Sequence, residues 1–204
     1  WLANEVRQYL KRILKRVDVT SRSMIALIEH GSCFAGVLAE LLFAVDRTYM
    51  MEDEFENDPR PIATITLSDD NFGMYQMANG LSRIATRFWG ANHLIEDAQE
   101  KIGKPLEAAE AEDLGLVTII LDDIDWEDEL RIFAEERASY SPDAMTGMEA
   151  NLRFVGPETM ETRIFGRLTA WQNWIFTRPN AVGADGALQR YGSGKRGNYN
   201  MDRV

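Results

Sequence analysis

The stretch HGSCFAGVLAELLFAVDR, His30 to Arg47, carries one carboxylate, Glu40, in an otherwise apolar run just past a glycine-containing bend. A carboxylate placed there has two readings. It reaches the rim, where water or a hydrogen-bonding partner satisfies it, or it points into a pocket as a general acid or base. Buried without a partner it would be costly or would stay protonated. Other chemistry-bearing side chains lie nearby. Cys33 is a small packed residue at the bend or a nucleophile, and the sequence assigns it no base. Ser32 has no adjacent base for a hydrolase triad. His30 and His93, with one cysteine, give no metal-ligand spacing, so neither metal nor cofactor is expected. Asp69 and Asp70 suit a turn or a helix cap as well as a site.

The bulk properties bound the partners. The chain has 204 residues and a formal net charge of -11. A surface that negative repels phosphate backbones and anionic membranes, so neither nucleic acid nor a membrane is an expected partner. A single cysteine rules out an internal disulfide and fits a reducing cytoplasm. No apolar run approaches the ~20 residues that span a bilayer. The chain opens on Trp1 inside an amphipathic pattern of Leu2, Val6, Leu10, Ile13, Leu14 and Val17. That opening reads as the start of the C-terminal piece of a longer protein; a trimmed single domain is the alternative.

The elements that would position Glu40 follow from periodicity. Residues 23–29 read as a buried strand, 31–36 as a turn, 35–44 as a helix and 47–51 as a second strand. Residues 52–61 are acidic, end in proline and read as a solvated loop. A third strand is expected at 62–67 and a fourth at 115–121, with helices near 81–89 and 92–102. Asp125 is the expected cap of a helix from Trp126, and Ser141-Pro142 the start of another. Pro157 would open a last helix over 158–176, with Ile164, Leu168, Trp171 and Ile175 on one face. Trp171, Trp174 and Phe176 read as core or subunit interface. The tail beyond it shows little periodicity and reads as an arm lying on another surface, or as mobile. The fold class is α/β, with a core over 1–140 and a helical region and tail over 141–204.

The motif order resembles the crotonase (enoyl-CoA hydratase/isomerase) superfamily over residues 23–154. The family pattern G-x-x-x-G-G-G-x-E-L-A-x-x-x-D is matched by Gly36, Glu40, Leu41 and Asp46. A second pattern, P-E-x-x-x-G-x-x-P-x-x-G-G-x-x-R-L, is matched by Gly73, Gly80, Arg83 and Ile84, with Ser68-Asp69 where the family has Pro-Glu. A third, A-x-x-x-G-L-V, is present as Ala111, Gly115, Leu116 and Val117. The resemblance implies a ββα spiral of the ClpP/crotonase type, incomplete at its N-terminus, that handles coenzyme A thioesters. ALIEHGSCFAG, NGLSRIATRF, SPDAMTGMEANLRF and ETRIFGRLTAWQNWIFTRPNAVG are similar to the C-terminal half of the benzoyl-CoA-dihydrodiol lyase branch of that superfamily. This narrower likeness implies ring opening of 2,3-epoxybenzoyl-CoA or its dihydrodiol, giving a semialdehyde-CoA and formate in aerobic benzoate breakdown.

Such chemistry needs two backbone amides at the thioester oxygen and positioned carboxylates. The resemblance puts one amide at Gly36 or Val37 and the acids at Glu40 and Asp69. It also implies an acyl-CoA substrate, taken through the full-length protein, and a homo-oligomer. The chain departs from the family where three glycines become Gly36-Val37-Leu38 and where Asp69 is one methylene shorter than glutamate. Two versions are open: this half is structural and the chemistry lies elsewhere in the protein, or Glu40 and Asp69 contribute. A general enoyl-CoA hydratase/isomerase and a non-catalytic oligomerisation module are the rivals.

Overall fold

The computed structural model describes residues 1–52 and 59–203. Most of the acidic loop expected at 52–61 thus lies outside the described residues. Contacts gather the chain into two units. One holds residues 1–19, 24–128 and 154–156; the other holds 20–23, 129–153 and 157–204. Among the described residues no helix is long and apolar enough to cross a membrane.

The first unit opens with α1 (Leu2–Asp18), where the expected amphipathic helix forms but only Leu14 and Asp18 are buried. Strand β1 (Ile25–Ile28), a 3-10 turn over Gly36–Ala39, α2 (Glu40–Ala44) and β2 (Arg47–Met51) make a short βαβ unit. β1 and β2 pair in parallel, Ile25 opposite Arg47. Asp46 fixes the entry to β1, its Oδ2 accepting from Met24 N at 2.6 Å. Then come β3 (Ile65–Thr66), a 3-10 turn over Asp69–Phe72, α3 (Arg83–Arg87), α4 (Asn92–Gln99), β4 (Pro105–Leu106) and α5 (Ala108–Asp113). β5 (Ile119–Leu121) adds in parallel to β2, giving the order β1-β2-β5, while β3 and β4 form a separate antiparallel pair. Ile28, Leu42, Met50, Ile65, Ile84, Leu106 and Leu116 are fully enclosed in one core cluster.

Two expected strands are shorter than their sequence runs. Of residues 62–67 only Ile65 and Thr66 pair, and their partner β4 carries no strand pattern in the sequence. The strand expected from Gly115 begins at Ile119, because Gly115-Leu116-Val117 ends a helix instead. Gly115, at φ +68°, stands just past α5. Gly115 N donates to Glu112 O at 2.7 Å and Leu116 N to Ala111 O at 2.9 Å, the paired bonds of a Schellman stop. Arg87 donates to the carbonyls of Gly115 and Leu116. Buried Thr48 then joins the segment to β2: its N donates to Thr118 Oγ1 at 3.1 Å and its Oγ1 accepts from Thr118 N at 2.9 Å.

The helices α6 (Asp123–Ala138) and α7 (Pro142–Leu152) come next. The cap of α6 is Asp122 and not Asp125: Asp122 Oδ1 accepts from Asp125 N at 2.9 Å, which brings the helix start forward to Asp123. Ser141 caps α7 as expected, accepting from Ala144 N, with Pro142 in the first turn. The last long helix starts later than its proline suggests. Thr159 is the cap, and α8 (Met160–Arg163), a π-helical segment over Ile164–Leu168 and α9 (Thr169–Ile175) run on in series. The π segment breaks the expected single apolar face. Its wider turns rotate α9 relative to α8, so Ile164 and Leu168 are exposed while Trp171 and Ile175 are half-buried. Trp171 and Trp174 pack edge to face, ring centres 5.2 Å apart. The tail holds more structure than its composition suggests: α10 (Pro179–Val182), α11 (Ala187–Arg190) and a 3-10 turn over Met201–Arg203. Asn180 and Asn200 tie it back, Asn180 Nδ2 donating to Asn200 O at 3.1 Å and Asn200 N to Asn180 Oδ1 at 2.9 Å.

A Cβ at Gly115 would lie 3.1 Å from the Phe88 ring at a φ that L residues avoid. Gly115→Ala is therefore expected to cost about 1–3 kcal/mol, read as a lowered midpoint in urea unfolding.

Candidate functional site

Glu40 opens α2, directly after the 3-10 turn that begins at Gly36. Its side chain turns inward and is 1% exposed. Three other side chains close around it, each delivered by a separate element. Arg83 stands in the first turn of α3, whose start is set by Ser82 accepting from Ala85 N. Asp18 is the last residue of α1. Asn71 lies in the 3-10 turn over Asp69–Phe72, which is closed by a reciprocal bond with Ser68. β3 brings that turn alongside the bend, since Thr66 N donates to Phe34 O at 3.1 Å.

The bonds form one chain. Arg83 grips Asp18 with two prongs, Nε to Oδ1 at 2.7 Å and Nη2 to Oδ2 at 2.6 Å. Its Nη1 donates to Glu40 Oε2 at 2.8 Å and to Tyr75 O at 2.7 Å. Glu40 Oε1 accepts from Asn71 Nδ2 at 2.8 Å, and the same amide nitrogen donates to Gly36 O at 2.9 Å. Asn71 Oδ1 accepts from Ser68 N at 2.9 Å. Asp18, Glu40 and Arg83 are each 1% exposed, so two carboxylates share one guanidinium out of contact with water. Burial in a low dielectric opposes the ionised form of a carboxylate. Burial accordingly pushes the Glu40 carboxyl above its ordinary value of 4.5, and the charge of Asp18 adds to the rise; the Asn71 and Arg83 bonds and the Arg83 charge pull against it.

The other expected site residues fall around this chain. Gly36 has φ +53°, and Gly36 and Val37 are half-buried. The turn's own ladder begins with Leu38 N donating to Ala35 O at 3.1 Å, leaving the amides of Gly36 and Val37 ahead of it. Asp69 is exposed at the head of its turn, and it is Asn71 from that turn that reaches Glu40. Cys33 is exposed, and His30 Nδ1 lies 2.9 Å from Pro61 O. Among the described residues no group of three or more His, Cys, Asp or Glu is placed to hold a metal ion. Sequence reasoning missed Asp18, Asn71 and Arg83 as partners of Glu40. The available signal was the lone acid itself: buried in an apolar helix it calls for a hydrogen-bonding or cationic partner, and Arg83 stands in a matched motif.

No family model matches the chain. Among solved structures, an enoyl-CoA hydratase from Bacillus anthracis superposes with a TM-score of 0.68 at 18% identity, covering 97% of this chain and 70% of that one. The chain has the crotonase fold. An enoyl-CoA hydratase from Thermoplasma volcanium shares it, with a TM-score of 0.63 at 20% identity over 87% of this chain and 64% of that one. So does an enoyl-CoA hydratase/isomerase from Cupriavidus metallidurans, with a TM-score of 0.62 at 18% identity over 88% and 62%. Within the crotonase fold a nearer relative is a benzoyl-CoA-dihydrodiol lyase of Aromatoleum evansii, 54% identical over 205 aligned positions and the whole of this chain. The chain spans 36% of that relative's length.

The cluster sets two expectations. Removing the shared cation leaves two buried carboxylates, so Arg83→Met should lower the unfolding free energy by about 3–5 kcal/mol, measured by denaturant titration. The second concerns pH. Because the folded chain holds the Glu40 proton more tightly than the unfolded chain, Glu40 contributes stability that is full below about pH 4.5 and is lost as pH rises through its folded pKa. The difference in unfolding free energy between wild type and Glu40→Gln should therefore shift against wild type across that window, and lie flat on either side.

Proposed function

We propose that the chain is the thioester-supporting segment of a ring-opening lyase akin to benzoyl-CoA-dihydrodiol lyase. The longer enzyme would act on 2,3-epoxybenzoyl-CoA or its dihydrodiol and release a semialdehyde-CoA and formate in aerobic benzoate degradation. The observation that carries this reading is the 54% identity extending over the entire chain. A homo-oligomer in the cytoplasm belongs to the same proposal, the latter in keeping with a single cysteine.

Within this segment Glu40 serves as a support and not as the proton carrier. Both its oxygens are occupied, and an acid–base group must reach the atom it protonates. Its effect passes through Asn71 to the bend. The carbonyl of Gly36 and the N–H of Val37 belong to one planar trans peptide and point in opposite directions. By holding the Gly36 carbonyl at 2.9 Å, Asn71 aims the Val37 amide away from the cluster. That amide is the donor we assign to the thioester oxygen, with Gly36 supplying the positive φ that the bend requires. Asp69, exposed at the head of the neighbouring turn, is the acid we assign to any proton transfer made by this chain.

The test is formate release by the full-length enzyme under saturating substrate. Glu40→Gln retains an oxygen to accept from Asn71 and should keep kcat within a few-fold. Asn71→Ala frees the Gly36 peptide and should lower kcat about tenfold or more, short of the ~10²–10³ lost with an oxyanion donor itself. A fall of ~10² in Glu40→Gln, the size of a lost general acid–base group, would overturn the supporting role.

A further inference from the structure

The second unit contains an open cavity of about 250 Å3 that the proposed lyase chemistry does not use. Pro142, Met145 and Met201 give it apolar walls, and Arg22 and Arg137 line it with them. Among its described lining residues there is no carboxylate, in a chain whose net charge is -11.

Arg137 is held in place by weak contacts. Its guanidinium lies 5.3 Å over the Phe133 ring. Its Nη1 is 3.9 Å from Met145 Sδ and 3.9 Å from Glu149 Oε1. None of these is a short hydrogen bond to oxygen, so a planar fork of donors stands pre-oriented at the cavity. A buried carboxylate stands behind the fork. Buried Glu149 faces two guanidinium groups, Arg137 and, at 3.8 Å, Arg153, while its Oε1 accepts from Ser23 Oγ at 2.7 Å. The Tyr140 hydroxyl is committed to Glu136 at 2.8 Å, which leaves recognition of charge to Arg137.

We propose that this cavity binds a small organic carboxylate. The Arg137 fork takes the carboxylate in bidentate fashion, and a short hydrocarbon body lies against Pro142, Met145 and Met201. A phosphate satisfies the fork and leaves the apolar walls empty, so the wall chemistry selects the carboxylate. The cavity shares no residue with the Glu40 cluster, and its occupancy is independent of whether the lyase reading holds.

The experiment is a titration of the intact chain with hexanoate, hexan-1-ol and inorganic phosphate, followed by calorimetry and by amide chemical shifts. Hexanoate should bind saturably at 1:1, with shifts centred on Arg137, Met145 and Met201. Hexanol and phosphate should each bind at least ~10-fold more weakly, since each lacks one half of the recognition, a difference of about 1.4 kcal/mol. Arg137→Gln should weaken hexanoate by a similar factor. Met145→Trp, which fills the cavity and keeps the charges, should do the same. Equal binding of hexanol or tighter binding of phosphate by the wild-type chain overturns the proposal, as does a non-saturating response to hexanoate. Hexanoate binding by a folded Arg137→Gln chain within twofold of wild type also overturns it.

Discussion

One guanidinium, Arg83, holds the first unit's interior to a single arrangement. It is enclosed from water and must find acceptors for its donors inside the protein. Asp18, Glu40 and the Tyr75 carbonyl supply them, and each comes from a different part of the chain. The end of α1, the start of α2 and the start of α3 are therefore placed relative to one another by directional bonds. The surrounding aliphatic core has no such directionality; it rewards burial of any apolar shape that fits. Two carboxylates on one cation are a poor source of net stability, because both ions are stripped of water. What the arrangement secures is register.

The same wiring links the interior to the bend where the candidate chemistry sits. Asn71 lies between the two, with one amide nitrogen serving both Glu40 and the Gly36 carbonyl. A backbone amide has no side-chain rotamer to select, so only its peptide plane can be aimed. A buried polar chain that ends on the carbonyl of that plane is a direct means of aiming it. This accounts for an acid at Glu40 in a position where it meets no solvent.

Much of this was readable in the residues. The apolar run before the bend, the lone Glu40 and the order of glycines, with Arg83 and Asp46, pointed to the crotonase fold. Gly115-Leu116-Val117 was legible as a motif, although its role as a helix stop was hidden. The residues look like the head of a strand, and the bonds back to Ala111 and Glu112 depend on a preceding helix of only six residues. β4 was invisible because a two-residue strand beginning at a proline has no alternation to detect. The face of the last long helix departs from a 3.6-residue period because a π-helical segment interrupts it. The partners of Glu40 were the largest gap. Spacing along a chain identifies neighbours within an element, and Asp18, Asn71 and Arg83 come from three others.

That remoteness bears on how the molecule assembles. Glu40 is 31 residues from Asn71 and 43 from Arg83, and Arg83 is 65 from Asp18. Loops of that length must close before any of these groups meet, and the ions lose their hydration only once aliphatic collapse has expelled solvent around them. The polar knot is thus made wholly of long-range contacts, whose loop-closure entropy the surrounding core must offset. Arg83 is in that sense a latch across stretches of chain that the sequence keeps far apart.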